Sequence, residues 1–257
     1  MSTFKQLRIL ILLLVLFVVA AGTWLTKMRT TSWEKPLVVA IYPINGDGSA
    51  QSAAYIKGLS VDAFDDIETF FRDEAEQYRL DIKQPIDIVM GPVLTEHPPA
   101  PPKDRNPLGV MWWSLKMRWW AKQVASEMGP PAHIQMFVLY NDPKLNPRVA
   151  HSLGLQKGLL GVVHVFARER DAGGNNVVIA HELLHTVGAS DKYDLQTNQP
   201  IFPSGYAEPD KVPPLPQEFA EIMAGRVPVS QTKAQQARDL DEVMIGEYTA
   251  LEIRWIE

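Results

Sequence analysis

Apolar and polar positions alternate along the chain in two distinct ways. Short runs rich in β-branched and aromatic residues, Leu37 to Tyr42, Ile86 to Met90, His133 to Tyr140 and Gly161 to Ala167, read as strands buried in a sheet, the last of them as an edge strand. Between the first two, Ser52 to about Arg79 has helical periodicity, with Ile67, Phe70, Phe71 and Tyr78 on or near one face. Its acidic residues, Asp65, Asp66, Glu68, Asp73, Glu74 and Glu76, read as a solvated face rather than a cation site. Gly109 to Met128 predicts a second long helix, Val177 to Val187 a short one stopped by Gly188, and Ser230 caps a last helix to about Tyr248. An asparagine of the turn Gly173 to Asn176 suits the N-cap of the short helix.

Two segments resist both periodicities. Pro98 to Pro102 is too rigid and too poor in donors for a helix or a central strand, and reads as a surface loop or, alternatively, a polyproline ligand. Gln199 to Pro216 is irregular and proline-rich, which suits the wall of a cleft. The second long helix carries Trp112, Trp113, Trp119 and Trp120, with Lys116, Arg118 and Lys122 between them. That pattern reads first as a large apolar face against the sheet, with contact with a membrane surface as the alternative.

At the N-terminus, Ile9 to Leu25 is an uninterrupted apolar run flanked by Lys5 and Arg8 before it and Lys27 and Arg29 after it. A run of that length can just cross a bilayer, so residues 1–32 read as a membrane anchor and tether, and 33–257 as one sizeable domain. A cleaved signal peptide, with Val19-Ala20-Ala21 as the cleavage site, is the competing reading. Either places the domain outside the cytoplasm. A net charge of −5 argues against nucleic acid as a partner. With no cysteine in the chain, disulfides and thiolate metal sites are excluded, which leaves histidine and carboxylate as transition-metal ligands.

The short helix carries the chemistry. His181 and His185 stand four residues apart, so their imidazoles point the same way from successive turns and can hold one metal ion. Glu182 can reach a water on that ion. Gly188 permits the sharp left-handed exit that brings Asp191 back toward the histidines, giving three ligands and an open fourth position, the pattern of a catalytic zinc. Asp194 also follows the helix stop and could swing inward instead. His164, on the last strand, could be a ligand or substrate contact, or a simple strand histidine.

The segment His181-Glu182-Leu183-Leu184-His185-Thr186-Val187-Gly188-Ala189-Ser190-Asp191 resembles the extended zinc motif of the metzincin metallopeptidases, in the rarer aspartate form of the snapalysin-type branch. Ala220 to Gly225 lies at a suitable distance for that family's methionine turn, with Met223 as a packing floor beneath the metal. The resemblance covers these two segments. It favours Asp191 over Asp194 as third ligand, because the spacing from Gly188 matches. It also implies a mixed α/β fold: a mixed sheet of about four strands with two long helices, a zinc-binding helix, and a smaller C-terminal subdomain with methionine turn and closing helix. The implied activity is that of a membrane-anchored zinc (Zn2+) metalloendopeptidase acting on peptide or protein substrates, with substrate added along an edge strand and Glu182 as general base. No tyrosine closely follows Met223, so the oxyanion role some metzincins give to such a residue is vacant or falls to Tyr193 or Tyr206. Two other classes remain open: a silent zinc-binding, membrane-tethered module, and an interaction protein acting through its proline loop and tryptophan helix.

Overall fold

A computed structural model of the chain describes residues 5, 7–14, 16, 17, 22, 30–102 and 106–257. The anchor expected over Ile9 to Leu25 lies in large part outside the described residues, and among the described residues no helix is long and apolar enough to cross a membrane.

Strand alternation builds the centre of the molecule. In β1 (Leu37–Asn45), Val39 and Ile41 face one way while Ala40, Tyr42 and Ile44 face the other, and all five are fully buried. The same division runs through β2 (Ile86–Met90), β3 (Ile134–Asn141) and β5 (Leu160–Phe166), so the sheet has apolar side chains on both faces. One face is covered by α1 (Ala50–Lys57), α2 (Asp65–Gln77) and α4 (Ala172–Val187), the other by α3 (Pro107–Met128). The result is three layers, helix on sheet on helix.

The sheet has five strands, one more than the sequence suggests, in the order β2-β1-β3-β5-β4. The extra strand is β4 (Leu153–Leu155), antiparallel to β5 while the other pairs run parallel. Gly161 to Ala167 is therefore not the edge strand; β4 covers it and takes that place. The long helix expected over Ser52 to Arg79 is broken at Gly58, where α1 ends, and resumes through a 3-10 turn at Val61–Phe64 into α2. Asp65, Asp66 and Glu68 sit in the first turn of α2, where the helix dipole favours acidic groups. The proline stretch packs against α3, with Trp113 Nε1 donating to Pro99 O at 2.7 Å.

The largest departure is C-terminal. Ser230 to Tyr248 is not a helix. β7 (Arg226–Ser230) and β8 (Lys233–Gln236) form a hairpin in a four-stranded sheet of order β8-β7-β6-β9, with β6 (Ala220–Glu221) and β9 (Val243–Met244). Strand pairing with β7 overrides the helix-forming residues Lys233 to Gln236. Leu240 and Val243 are buried, Tyr248 is exposed, and the closing helix is the short α5 (Glu247–Glu252). It is tied to the main layer by long-range contacts: Tyr78 Oη donates to Ile245 O at 2.7 Å, Ile245 N to Glu74 Oε2 at 2.7 Å, and Trp33 Nε1 to Ile253 O at 2.8 Å.

Candidate metal centre

α4 begins one turn earlier than the asparagine cap implied. Asp171 precedes it without a side-chain cap, and Gly173 and Gly174 are already helical. Asn175 serves otherwise: its side chain exchanges two bonds with the backbone of Phe166 at the end of β5, at 3.2 and 2.9 Å. That locks the helix start to the strand beside it. At the other end Gly188 has φ +117°, a region that favours glycine, and its N–H and that of Ala189 close on Leu184 O. The chain turns back there, and Asp191 meets both histidines.

The histidines are oriented by backbone carbonyls. His181 Nδ1 lies 2.9 Å from Ile222 O, and His185 Nδ1 lies 2.8 Å from Ala189 O. A carbonyl only accepts, so each Nδ1 carries the proton and each neutral ring presents a lone pair on Nε2. Both Nε2 atoms stand 3.2 Å from Asp191 Oδ1. With the rings neutral three acceptors converge, an arrangement that calls for a cation; without one, a proton on Nε2 bonds to Asp191 instead. Zinc bonds of about 2.0–2.2 Å at tetrahedral angles give ligand–ligand edges of about 3.3–3.6 Å, close to the two separations from Asp191, so the residues fit zinc. Among the described residues this is the one group of three such side chains with its ligand atoms mutually close. Burial opposes a charge on His181, but Asp191, Glu182 and the Ile222 carbonyl together push its pKa up. Burial likewise raises that of Asp191, and the bonds from the two histidines outweigh it and hold the carboxyl well below its usual range.

The loop carrying Asp191 is clamped from both sides. Ser190 donates through its backbone N and its Oγ to Glu252 on α5, at 2.8 and 2.6 Å, and Lys192 Nζ reaches the same carboxylate at 2.7 Å. Lys192 N donates to Met223 O at 3.0 Å. Met223 and Ile222 are buried in the turn between β6 and β7, so one turn holds both the His181 ring and the return loop. The fully buried Glu221 braces that turn, accepting from Thr249 Oγ1 at 2.5 Å and from Ala224 N at 3.1 Å. Asp194 does not reach the histidines. Its carboxylate accepts from Gln196 N and from Thr197 N and Oγ1 within its own turn.

Glu182 is 6% exposed, and its Oε2 has no hydrogen-bond partner. Burial raises its pKa, while the two histidines and the Gly154 N–H pull it back toward the ionised form. It borders a cleft of about 340 Å³ whose walls include His181, Tyr193, His164, His151 and Arg226. Burial and then the charge of Asp191 raise the pKa of the Tyr193 phenol, which lies near that carboxylate. Tyr206 instead pairs with Ala220 and packs its ring on Phe202. His164 is a cleft-wall residue and not a member of the ligand cluster, and burial holds its pKa down.

Sequence reasoning missed Gly154, His151 and the two orienting carbonyls. A Cβ at Gly154 would lie 2.5 Å from His185 Cβ and inside contact distance of the Glu182 carbonyl oxygen, so only glycine lets β4 approach the helix here. The carbonyls leave no side-chain signal at all. No family model matches the chain, and no curated protein matches it.

Proposed function

We propose that the chain is a zinc-dependent metalloendopeptidase of metzincin type, held at a membrane by its N-terminal apolar run. The observation that carries this reading is the convergence of two Nε2 lone pairs and one Asp191 oxygen beside a buried carboxylate with a free oxygen. A structural zinc site would use a fourth protein ligand, and among the described residues no fourth such side chain joins these three. Bound there, zinc supplies a Lewis acid for the peptide carbonyl and lowers the pKa of water toward neutrality.

The chain's own residues account for the remaining steps. Glu182 Oε2 takes the proton of the attacking water as oxygen bonds to the carbonyl carbon. As the carbon–nitrogen bond breaks, Glu182 returns that proton to the leaving amine. Its burial keeps it basic enough to accept the proton, and the Gly154 N–H keeps it pointed at the cleft. Tyr193, on the cleft wall, is the phenol we assign to the developing oxyanion. The free edge of β4 beside this cleft suits pairing with an extended substrate backbone.

Glu182→Gln tests the reading. It retains shape and is not a ligand, so zinc content stays near that of wild type. Hydrolysis of a mixed peptide library at neutral pH falls on the order of a hundred- to ten-thousand-fold. Loss of zinc together with activity would make Glu182 structural, and a wild type that cleaves nothing would leave a silent zinc module.

A further inference from the structure

The long tryptophan helix has two apolar faces, and only one of them meets the protein. Met117, Trp120, Ala121 and Val124 are buried against the sheet. On the opposite side Leu108, Met111, Trp112, Leu115 and Trp119 are exposed, Trp112 by 70% and Trp119 by 63%. Leu108, Trp112, Leu115 and Trp119 recur at the four-three-four spacing of a single helical stripe. An outward stripe of two tryptophans and two leucines is more than scattered surface hydrophobics.

Charge says what covers it. Lys116 borders the stripe on one side, Arg118 and Lys122 on the other, and no carboxylate occurs on the helix before Glu127. That is a local excess of positive charge on a chain whose net charge is −5. Tryptophan and leucine bordered by basic residues is the composition of a helix lying in the headgroup region of an anionic bilayer. Topology brings such a surface within reach. β1 and β3 run parallel, so α3, which leads into β3, ends at the sheet edge where β1 begins. The chain enters β1 at that edge from its N-terminal apolar run.

We infer that the outer face of α3 docks on the surface of an anionic lipid bilayer, giving the domain a second membrane contact besides its N-terminal segment. The contact does not depend on the metal site. It would fix the domain's tilt, and with it the height of the cleft above the membrane.

The test uses the full chain in vesicles of phosphatidylcholine with and without phosphatidylglycerol. The chain has no cysteine, so Leu115→Cys carries a single spin label, and Val212→Cys, at a position 92% exposed in the proline-rich loop, serves as reference. Collision with oxygen and with a water-soluble nickel chelate reports depth. The label at 115 should be reached by oxygen and shielded from nickel in anionic vesicles, while the label at 212 behaves as in water. Replacing Lys116 and Lys122 by alanine should weaken this docking roughly fivefold for each charge removed. Nickel access at 115 equal to that at 212 overturns the inference. So does shielding from both reagents in vesicles and detergent alike, which would mean a second copy or the N-terminal segment covers the face. Zinc content is measured on the same samples, so failure of the metal site is read separately.

Discussion

Gly154→Ala separates the geometry around Glu182 from metal binding. The added methyl would stand 2.5 Å from His185 Cβ, where ordinary carbon contacts are about 3.5–4.0 Å. Neither neighbour can yield, because the Glu182 carbonyl and His185 belong to a helix pinned at both ends. β4 has three residues and pairs only with β5, so it is the part that retreats, by about 1 Å. Overpacking of this kind costs about 1–3 kcal/mol. The retreat also draws the Gly154 N–H away from Glu182, and a displacement of about 1 Å beside the reacting groups costs on the order of a hundredfold in rate. Zinc should remain, since no ligand lies on β4. Urea unfolding, metal analysis and kcat/KM on a peptide substrate give the three readouts. Gly174→Ala on the same helix is the contrast: its Cβ would make an ordinary 3.6 Å contact with Arg238 O, and the change should stabilise by up to about 1 kcal/mol. A Gly154→Ala protein as stable and active as wild type refutes the reasoning, and loss of zinc in step with activity refutes its second half.

Two further outcomes follow from the same contacts. Asp191→Ala should weaken zinc binding in chelator competition by at least the ~10–100-fold typical of outer-sphere changes, whereas Asp194→Ala, in a self-contained turn, should leave it unchanged; the reverse order would reassign the ligand. Burial pushes the Glu74 carboxyl from 4.5 up to about 7, so the native state holds a proton there that the unfolded chain has released. The resulting stability is complete below about pH 4.5 and lost as pH rises through 7. Glu74→Gln keeps an acceptor for Ile245 N–H and should exceed wild type at pH 8 by up to about 3 kcal/mol, with little gain at pH 5. Urea midpoints of the metal-free chain at the two pH values check it, and an unchanged pH slope would sink it.

What could be read in the sequence was what short-range pattern fixes. The β1, β3 and β5 segments are largely apolar because both faces of the sheet are covered, the edge strand β2 admits the exposed Asp87, and α3 and α4 announce themselves by periodicity and by Gly188. Asp191 was legible for the same reason: its distance from the helix stop is local. The rest depends on distant partners. β4 is too short at three residues to show alternation, and it is defined by its pairing with β5, where Gly154 stands opposite Gly161. Lys233 to Gln236 would suit a helix, but the β7 strand supplies a ladder that outweighs that preference. His151 gave no sign of a role because the loop that brings it to the cleft is irregular.

The same contrast explains why the motif letters alone do not make a metal site. Three residues on a helix and a loop provide ligand atoms only if the rings present Nε2, and that is decided by Ile222 O and Ala189 O. Ile222 is forty-one positions from His181, in a turn braced by Glu221, which Thr249 of α5 holds in place. Asp191 is delivered by a loop whose flanking residues both bind Glu252 of the same short helix. One six-residue helix therefore governs both the ring that must face the ion and the carboxylate that must meet it. Gathering three acceptors around one point is unfavourable unless a cation stands among them, so an ion bound there would stabilise the fold together with the clamp. The C-terminal part is the frame that turns a sequence motif into a convergent set of candidate ligand atoms.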